Sequence, residues 1–426
     1  MAQGYRVLVS SYACEPGRGS EPGVGWNWVC QIARHNPTWI LTRRNNQARI
    51  EQALEKDPLP NAHFIYFDLP RWARWWKKGA RGLHLYYYLW QIAASFEARR
   101  LHRKVDFQIT HHVTFVTYWM PSCLSFLPIP FVWGPVGGGE STPANFRASF
   151  SLRGRLYEGI RDVVQFIARQ DPLLRWTARR STLALAATSD TAARLQQLGC
   201  RNVQVYSSMG LPAHEIQVVD DLQHSSGTPF RFVEIGDLLH LKGCDLALKA
   251  FARVSHDLPS AELWFIGEGP ERRRLEDLAT QLQVRDRVTF WGQLPRKITL
   301  QKLGECDVLV HPGLHDSGGC VCTEALAAGR PVICLDLGGP ALQVTPESGI
   351  KIPAVTPAQV VKDLAAAMKD LALFPARRAS MSRAARLHVL ECLAWDVKGE
   401  QLVAMYRSVV KSPRAIEGVR SVAQYE

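Results

Sequence analysis

The chain of 426 residues is poor in the features that mark several protein classes. No apolar run reaches the roughly 18 residues that span a bilayer, which argues against a transmembrane helix. The first residues, MAQGYRVLVSSYA, lack a basic segment followed by a long apolar core. They are read as carrying no secretory leader, with RVLVS as the first strand. The ten cysteines stand singly apart from Cys320 and Cys322, without the paired spacing of zinc sites. They read as reduced thiols of a cytoplasmic protein, most of them small core residues. There is no Asp-x-Asp metal motif, no Walker Lys-Ser/Thr and no GxGxxG fingerprint, since Gly17, Gly19, Gly23 and Gly25 fall out of step with it.

What is there is ordinary globular material: 46% hydrophobic and 21% charged residues. The length exceeds what one core accommodates, so two domains are expected. The formal charge of +12 favours anionic partners, whether nucleotide, membrane surface or nucleic acid.

The most informative stretch is HPGLHDSGGCVCTEALAAGRPVICL, His311 to Leu335. An apolar run, CDVLVHP, suits a buried parallel strand. It ends in a turn of His315, Asp316, Ser317, Gly318 and Gly319. A helix is expected from Cys320 to Ala328, ending at Gly329, with VICLD as the next strand. Free amides at a helix N-terminus suit an anion, and glycines allow it to come close. Asp316 and Glu324 are eight residues apart, about two helical turns, and carboxylates accept from hydroxyl groups. A ligand with both phosphate and sugar therefore fits better than phosphate alone. A solvated N-cap acid and a surface acid are the plainer reading of the same two residues.

Earlier in the chain, the glycine-rich segment leading into Trp26, with Gly23 and Gly25, reads either as a loop opening over a ligand or as a surface turn. RWARWWKKGARGLHLYYYLW, Arg71 to Trp90, mixes cations with aromatic rings. Trp72, Trp75, Trp76, Arg71, Arg74, Lys77 and Lys78 suit peripheral contact with an anionic membrane. A helix with a large aromatic core face is the other reading, and nucleic-acid stacking has no recognition motif beside it. A strand is expected over Asp106 to Thr110 with His111 and His112 at its carboxyl end, where parallel sheets meet ligands. One of the two histidines is expected to donate to a phosphate or sugar, the other to pack in the core.

The polar segment Pro212 to Pro229 is read as a hinge. Beyond it FRFVEIG, AELWFIGEG and VTFWGQL read as strands alternating with helices, which implies a parallel sheet with helices on both faces. The loops at Gly236 to Gly243, Gly267 to Pro270, Trp291 to Leu294 and Asp316 then meet on one edge. Lys242 is the cation placed to balance a diphosphate there. The division expected is a first Rossmann-like domain over 1–215, a second over 216–394, and a C-terminal helix over 395–426 packing back on the first.

Together GDLLHLKG, FIGEGPERRRLEDLA, VTFWGQLPR and HDSGGCVCTEALAAGRPVI resemble the family 4 glycosyltransferases across the second half. In the first half EPGRGSEPGVGWNW and HHVTFVTYWMP are more loosely similar to bacterial members of exopolysaccharide or cell-surface glycan assembly. The resemblance implies an α/β GT-B fold of two doubly wound parallel-sheet domains facing a central cleft. It implies retaining transfer from a nucleotide-diphosphate sugar to a glycan or lipid-linked acceptor, with no cofactor, no metal and no nucleic acid, in the cytoplasm or at the inner face of the membrane. Asp316 and Glu324 take the acidic positions of its E-x7-E motif, for sugar hydroxyls and ribose respectively. Ser317 and the amides of Gly318, Gly319 and Cys320 would hold sugar and diphosphate, with Gly236 and Gly267 beside them and Lys242 neutralising charge. Trp291 and Leu294 would border the base, Gly23 and Gly25 would reach the diphosphate, and His111 or His112 (the catalytic choice is His112) would touch the sugar. Two departures stand out: Asp316 is shorter than the family's glutamate, and Asp237 stands where the family usually has arginine. The alternatives are a GT-B sugar-nucleotide epimerase and a non-catalytic sugar-nucleotide or glycan-binding protein.

Overall fold

The computed structural model describes residues 4–411 apart from 78, 80–81, 116 and 221–228. Lys78, the HSSGT end of the expected hinge and the last dozen residues therefore lie outside the described residues, as does the side chain of Arg71. The chain divides into two compact units. The first holds 4–139, 162–208 and 398–411, and the second 140–161 and 209–397. The segment 140–161 thus groups with the second unit, although it falls within the first domain of the sequence division.

The first unit has seven parallel strands in the order β3-β2-β1-β4-β5-β6-β7. These are β1 Val7–Ser11, β2 Thr38–Arg43, β3 Ala62–Phe67, β4 Ile109–Thr114, β5 Phe131–Val136, β6 Leu183–Ala186 and β7 Val203–Val205. Central strands β1, β4, β5 and β6 are buried throughout, as a sheet covered on both faces requires, whereas the edge strand β3 is not.

Helix α1, Ser20–His35, follows the first strand. Gly23 and Gly25 are therefore buried helical residues, and the loop expected to include them ends at Gly19. A Cβ on Gly25 would lie 2.0 Å from the Ala13 carbonyl oxygen and 2.5 Å from the Thr114 methyl, so this glycine lets the helix close onto β1 and β4. The Arg71 to Trp90 stretch splits. Trp72 and Trp75 are exposed, while Trp76 packs against the core that holds Tyr86, Tyr87 and Trp90 at the start of α2, Leu83–Val105. Helix α3, Leu152–Ala168, and helix α4, Pro172–Arg180, come before β6.

The second unit has six parallel strands in the order β10-β9-β8-β11-β12-β13. They are β8 Arg231–Ile235, β9 Glu262–Ile266, β10 Val288–Gly292, β11 Val308–His311, β12 Val332–Leu335 and β13 Gly349–Ile352. Helices α5 Cys244–Val254, α6 Cys320–Ala327 and α7 Gly338–Gln343 follow β8, β11 and β12. The direction of winding reverses between β8 and β11, so the loops after these two strands open at the switch point where doubly wound sheets take ligands. The last helix, α8 Trp395–Lys411, returns to the first unit from Lys398 onward, where Tyr406 Oη lies 2.6 Å from His111 Nδ1. Among the described residues no helix is long and apolar enough to cross a membrane.

Candidate functional site

The loop after β8 and the loop after β11 are tied together, because the Leu314 amide donates to the Leu241 carbonyl at 2.9 Å. That bond sets Lys242 against Asp316, whose Oδ2 lies 2.6 Å from the ammonium nitrogen. The other oxygen, Oδ1, accepts from the amides of Gly318 and Gly319, both at 3.0 Å, and so fixes the turn that leads into α6. His311 Nε2 adds a third partner at 3.3 Å. Burial alone would raise the Asp316 carboxyl, but the His311 hydrogen bond and the Lys242 charge outweigh it and hold the group well below the usual carboxylate range. Burial likewise opposes the charge on Lys242, and Asp316 reverses the balance so that the ammonium is held. Both groups are ionised near neutral pH.

Around this pair the turn is fixed from several sides. The Asp316 carbonyl accepts from Gly339 at the start of α7 at 2.8 Å, and Gln343 donates to the Gly318 carbonyl. The Ser317 hydroxyl donates to Glu140 at 2.8 Å, while Arg161 donates to the Glu140 carbonyl and lies 3.0 Å from His315 Nε2. Cys320 rests on Met209, with its thiol pushed up to about 12 by burial. Beneath Lys242 the Glu234 side chain of β8 is fully buried, and burial drives its carboxyl up to about 8 despite the nearby ammonium.

Glu324 lies on α6 and is buried, with its carboxyl raised by burial against the opposing charge of Arg296. Arg296 donates to Glu324 at 2.6 Å and to Glu215 at 2.6 Å. This guanidinium ties Glu324 to the end of the Trp291 to Leu294 loop. Trp291 itself belongs to β10, not to the loop expected from the sequence; it meets Trp264 edge-on at 5.3 Å and lies under the Lys302 ammonium at 4.4 Å. Gly236 and Gly267 are packed against each other; a Cβ on Gly267 would lie 1.9 Å from the Gly236 carbonyl oxygen. Asp237 is exposed, and its side chain makes no ion pair among the described residues.

Lys242, Asp316, Ser317, Gly318, Gly319 and Cys320 are thus gathered at one switch point, with Gly236 and Gly267 in the neighbouring loops and Glu324 further along the same helix. Sequence reasoning passed over His311, Glu140, Arg161, Glu234, Glu215 and Arg296. His311, Glu234, Glu215 and Arg296 stood within stretches already singled out, His311 at the head of His311 to Leu335 and Arg296 directly after WGQLP, but no role was read for them. Among the described residues no group of three or more His, Cys, Asp or Glu is arranged to hold a metal ion.

In the first unit His111 and His112 lie inside β4, not at its end. His111 has both ring nitrogens engaged, Nδ1 with Tyr406 Oη and Nε2 with the Gly134 carbonyl at 2.7 Å. His112 Nε2 lies 2.9 Å from Tyr87 Oη, and its buried Nδ1 has no partner among the described residues. Burial pushes both imidazoles down, His111 to about 4 and His112 to about 3, so both are neutral near pH 7.

Residues 221–388 match the family of glycosyl transferases group 1. The GDP-mannose-dependent monoacylated alpha-(1-6)-phosphatidylinositol monomannoside mannosyltransferase of Corynebacterium glutamicum is 34% identical over 178 residues, 40% of this chain and 45% of that protein. The lipopolysaccharide core biosynthesis glycosyltransferase LpsD of Rhizobium meliloti is 32% identical over 164 residues, 38% of this chain and 46% of that one. The chain therefore spans a little under half the length of these curated relatives. Among solved structures, a sucrose-phosphate synthase from Thermosynechococcus elongatus aligns over 96% of this chain and 100% of its own, with a TM-score of 0.60 at 16% identity. The likeness is one of fold, and that fold is GT-B, built from two parallel-sheet α/β units.

Proposed function

We propose that the protein, whose residues 221–388 match the group 1 glycosyl transferases, is a retaining glycosyltransferase that needs neither metal nor cofactor. It moves a sugar from a nucleotide-diphosphate sugar to a glycan or lipid-linked acceptor, in the assembly of an exopolysaccharide or cell-surface glycan. The observation that carries this reading is the meeting of Lys242, the Asp316 carboxylate and the Gly318 and Gly319 amides at one switch point. The ammonium and amides suit a departing diphosphate, and the carboxylate suits sugar hydroxyls. Glu324, steadied by Arg296, is assigned the ribose. The acceptor oxygen bonds to the anomeric carbon on the face from which the diphosphate leaves. Its proton passes to the leaving phosphate oxygen, so no protein nucleophile is assigned.

The names of the relatives order the tests. One is named for GDP-mannose, so that donor comes first, followed by UDP and ADP sugars in a thermal-shift panel. Turnover by the best ligand, with NMR assignment of the new anomeric centre, then tests the reaction. An inverted linkage would end the retaining assignment, and activity lost on chelation and restored by a divalent cation would end the metal-independent one. We place the protein in the cytoplasm, touching an anionic membrane through exposed Trp72 and Trp75. Vesicle binding unchanged in a Trp72→Ala, Trp75→Ala double variant would remove that contact.

One observation favours the second reading, a sugar-nucleotide or glycan binder without turnover. Exposed Asp237 puts an anion where related enzymes usually have a cation. Tight nucleotide-sugar binding with no transfer to any acceptor would select it.

A further inference from the structure

The amino ends of β11 and β12 lie on the opposite edge of the second sheet from the donor loops, and they carry a cluster of cations of their own. Asp307 directly precedes β11 and Pro331 directly precedes β12. With the helix Pro375–His388 they wall a pocket of about 380 Å³. From that helix come Arg378, Ser382, Arg383 and Arg386. Among the described residues Asp307 is the one carboxylate of the lining, and its Oδ2 already accepts from the Arg231 amide at 2.9 Å. Three guanidiniums therefore meet one carboxylate.

A fourth cation stands beside them. Arg330, between the lining residues Gly329 and Pro331, is only 1% exposed. Its Nη2 donates to the Gly304 carbonyl at 2.6 Å, and its buried Nε has no partner among the described residues. Burial, and after it the charge of Arg386, lower this guanidinium from its ordinary value, so the two cations stand close enough to repel. Gly329 makes that approach possible. At a φ of +66°, a Cβ there would lie 2.7 Å from Arg386 Cζ and 2.8 Å from Ser382 Oγ, so glycine leaves both groups room over the turn. Arg378 is held by the Leu371 carbonyl at 2.6 Å and by the Phe230 ring at 4.8 Å, which leaves part of its fork for another acceptor. Arg383 is exposed and makes neither ion pair nor hydrogen bond among the described residues. A solvated helix face explains Arg383 alone, not a fully buried cation kept beside another.

We propose that this pocket binds a small organic phosphate monoester. Its phosphate oxygens take the forked donors of Arg378, Arg383 and Arg386 and the Ser382 hydroxyl, and its charge relieves the repulsion between Arg386 and Arg330. The organic part lies against the apolar walls of Pro331, Pro375 and Ala379. The volume argues for a molecule over a bare ion, since about 380 Å³ falls at the low end of the roughly 300–1,000 Å³ of small-molecule pockets. No residue of the lining belongs to the donor site, so the inference does not rest on the proposed reaction.

The test titrates phenyl phosphate, ribose 5-phosphate and inorganic phosphate into the full chain by calorimetry, with ribose as the uncharged control. At least one ester is expected to bind roughly tenfold or more tightly than inorganic phosphate, because its body covers the apolar walls, and ribose is expected not to bind. Arg383→Glu, at an exposed position with no partner to lose, is expected to weaken that ester roughly tenfold or more. Hydrogen exchange of the unaltered protein supplies a readout free of folding effects: the amides of 376–386 and of Gly329 and Arg330 should gain protection with the ester and not with ribose. An ester affinity no better than that of inorganic phosphate would overturn the site, as would failure of both esters to bind. An affinity unchanged in Arg383→Glu, or protection confined to the Asp316 turn, would overturn it as well.

Discussion

The Lys242 ammonium lies 2.6 Å from Asp316 Oδ2, while Asp316 Oδ1 accepts from the two glycine amides just before α6. A single carboxylate thus engages the cation and the helix end that a diphosphate would use, and a donor must share or displace these bonds. In Asp316→Asn the amide oxygen can still accept from Gly318 and Gly319, but Lys242 loses its counter-charge. Nucleoside diphosphate alone should bind at least as tightly as to the parent protein, by calorimetry. Sugar transfer should fall roughly 100-fold or more, because the acceptor for developing contacts to the sugar is weakened. A tenfold loss of nucleotide affinity would show that Asp316 serves the nucleotide and not the sugar.

Arg296 holds two carboxylates at once, Glu324 and Glu215, each at 2.6 Å. In Arg296→Met the burial that already raises Glu324 goes unopposed, so its carboxyl rises further and takes up a proton more readily. Solvent at the half-exposed Arg296 screens part of the loss, and a stability cost of about 1.5–3 kcal/mol is the upper range expected. Nucleotide affinity should weaken, and weaken more as pH is lowered, because a protonated Glu324 accepts less well from ribose hydroxyls. Affinity titrated across pH for parent and variant checks this; parallel curves would refute it.

The pH dependence of folding should carry the mark of Glu234. Its carboxyl is raised from 4.5 to about 8 by burial, so between those values the folded chain holds a proton that the unfolded chain releases. The contribution is fully present below about 4.5 and is lost as pH rises through about 8. Urea midpoints should therefore decline over that window, and Glu234→Gln, neutral at every pH, should flatten the decline. An equal slope in the variant would assign the effect elsewhere.

Much of the second unit was legible because its strands are short apolar runs closed by glycine or a polar residue: VLVH and VICL are buried throughout. The Lys242 and Asp316 loops could be brought together from strand alternation alone, since carboxyl ends of parallel strands share an edge. What could not be read was which polar partners arrive from afar. Glu140 reaches Ser317 across 177 residues and Glu215 reaches Arg296 across 81, and no local pattern announces either. Burial was equally hidden: Trp75 is exposed and Trp76 packs on the core, a difference set by the facing of one turn. Gly23 and Gly25 resembled a loop because glycine signals a turn and a tight helix crossing with the same residue type.

Asp237 provides the sharpest test of the donor assignment. It follows the Gly236 turn after β8, on the switch-point edge that carries Lys242, and its side chain is exposed with no ion pair among the described residues. Replacing it by arginine therefore breaks no side-chain hydrogen bond or ion pair among the described residues, and the fold should tolerate the change to within about 0.5 kcal/mol. If a diphosphate binds at this edge, the substitution removes a repulsion and adds a forked donor. A charge-assisted bond of about 1.5–3 kcal/mol corresponds to roughly 10- to 100-fold tighter nucleotide binding. Asp237→Asn, which removes only the repulsion, should lie between the two. Calorimetric affinities for the best nucleotide across the three proteins should rise in the order Asp, Asn, Arg; a sharp fall in Asp237→Arg would mean that the native aspartate itself contacts the ligand.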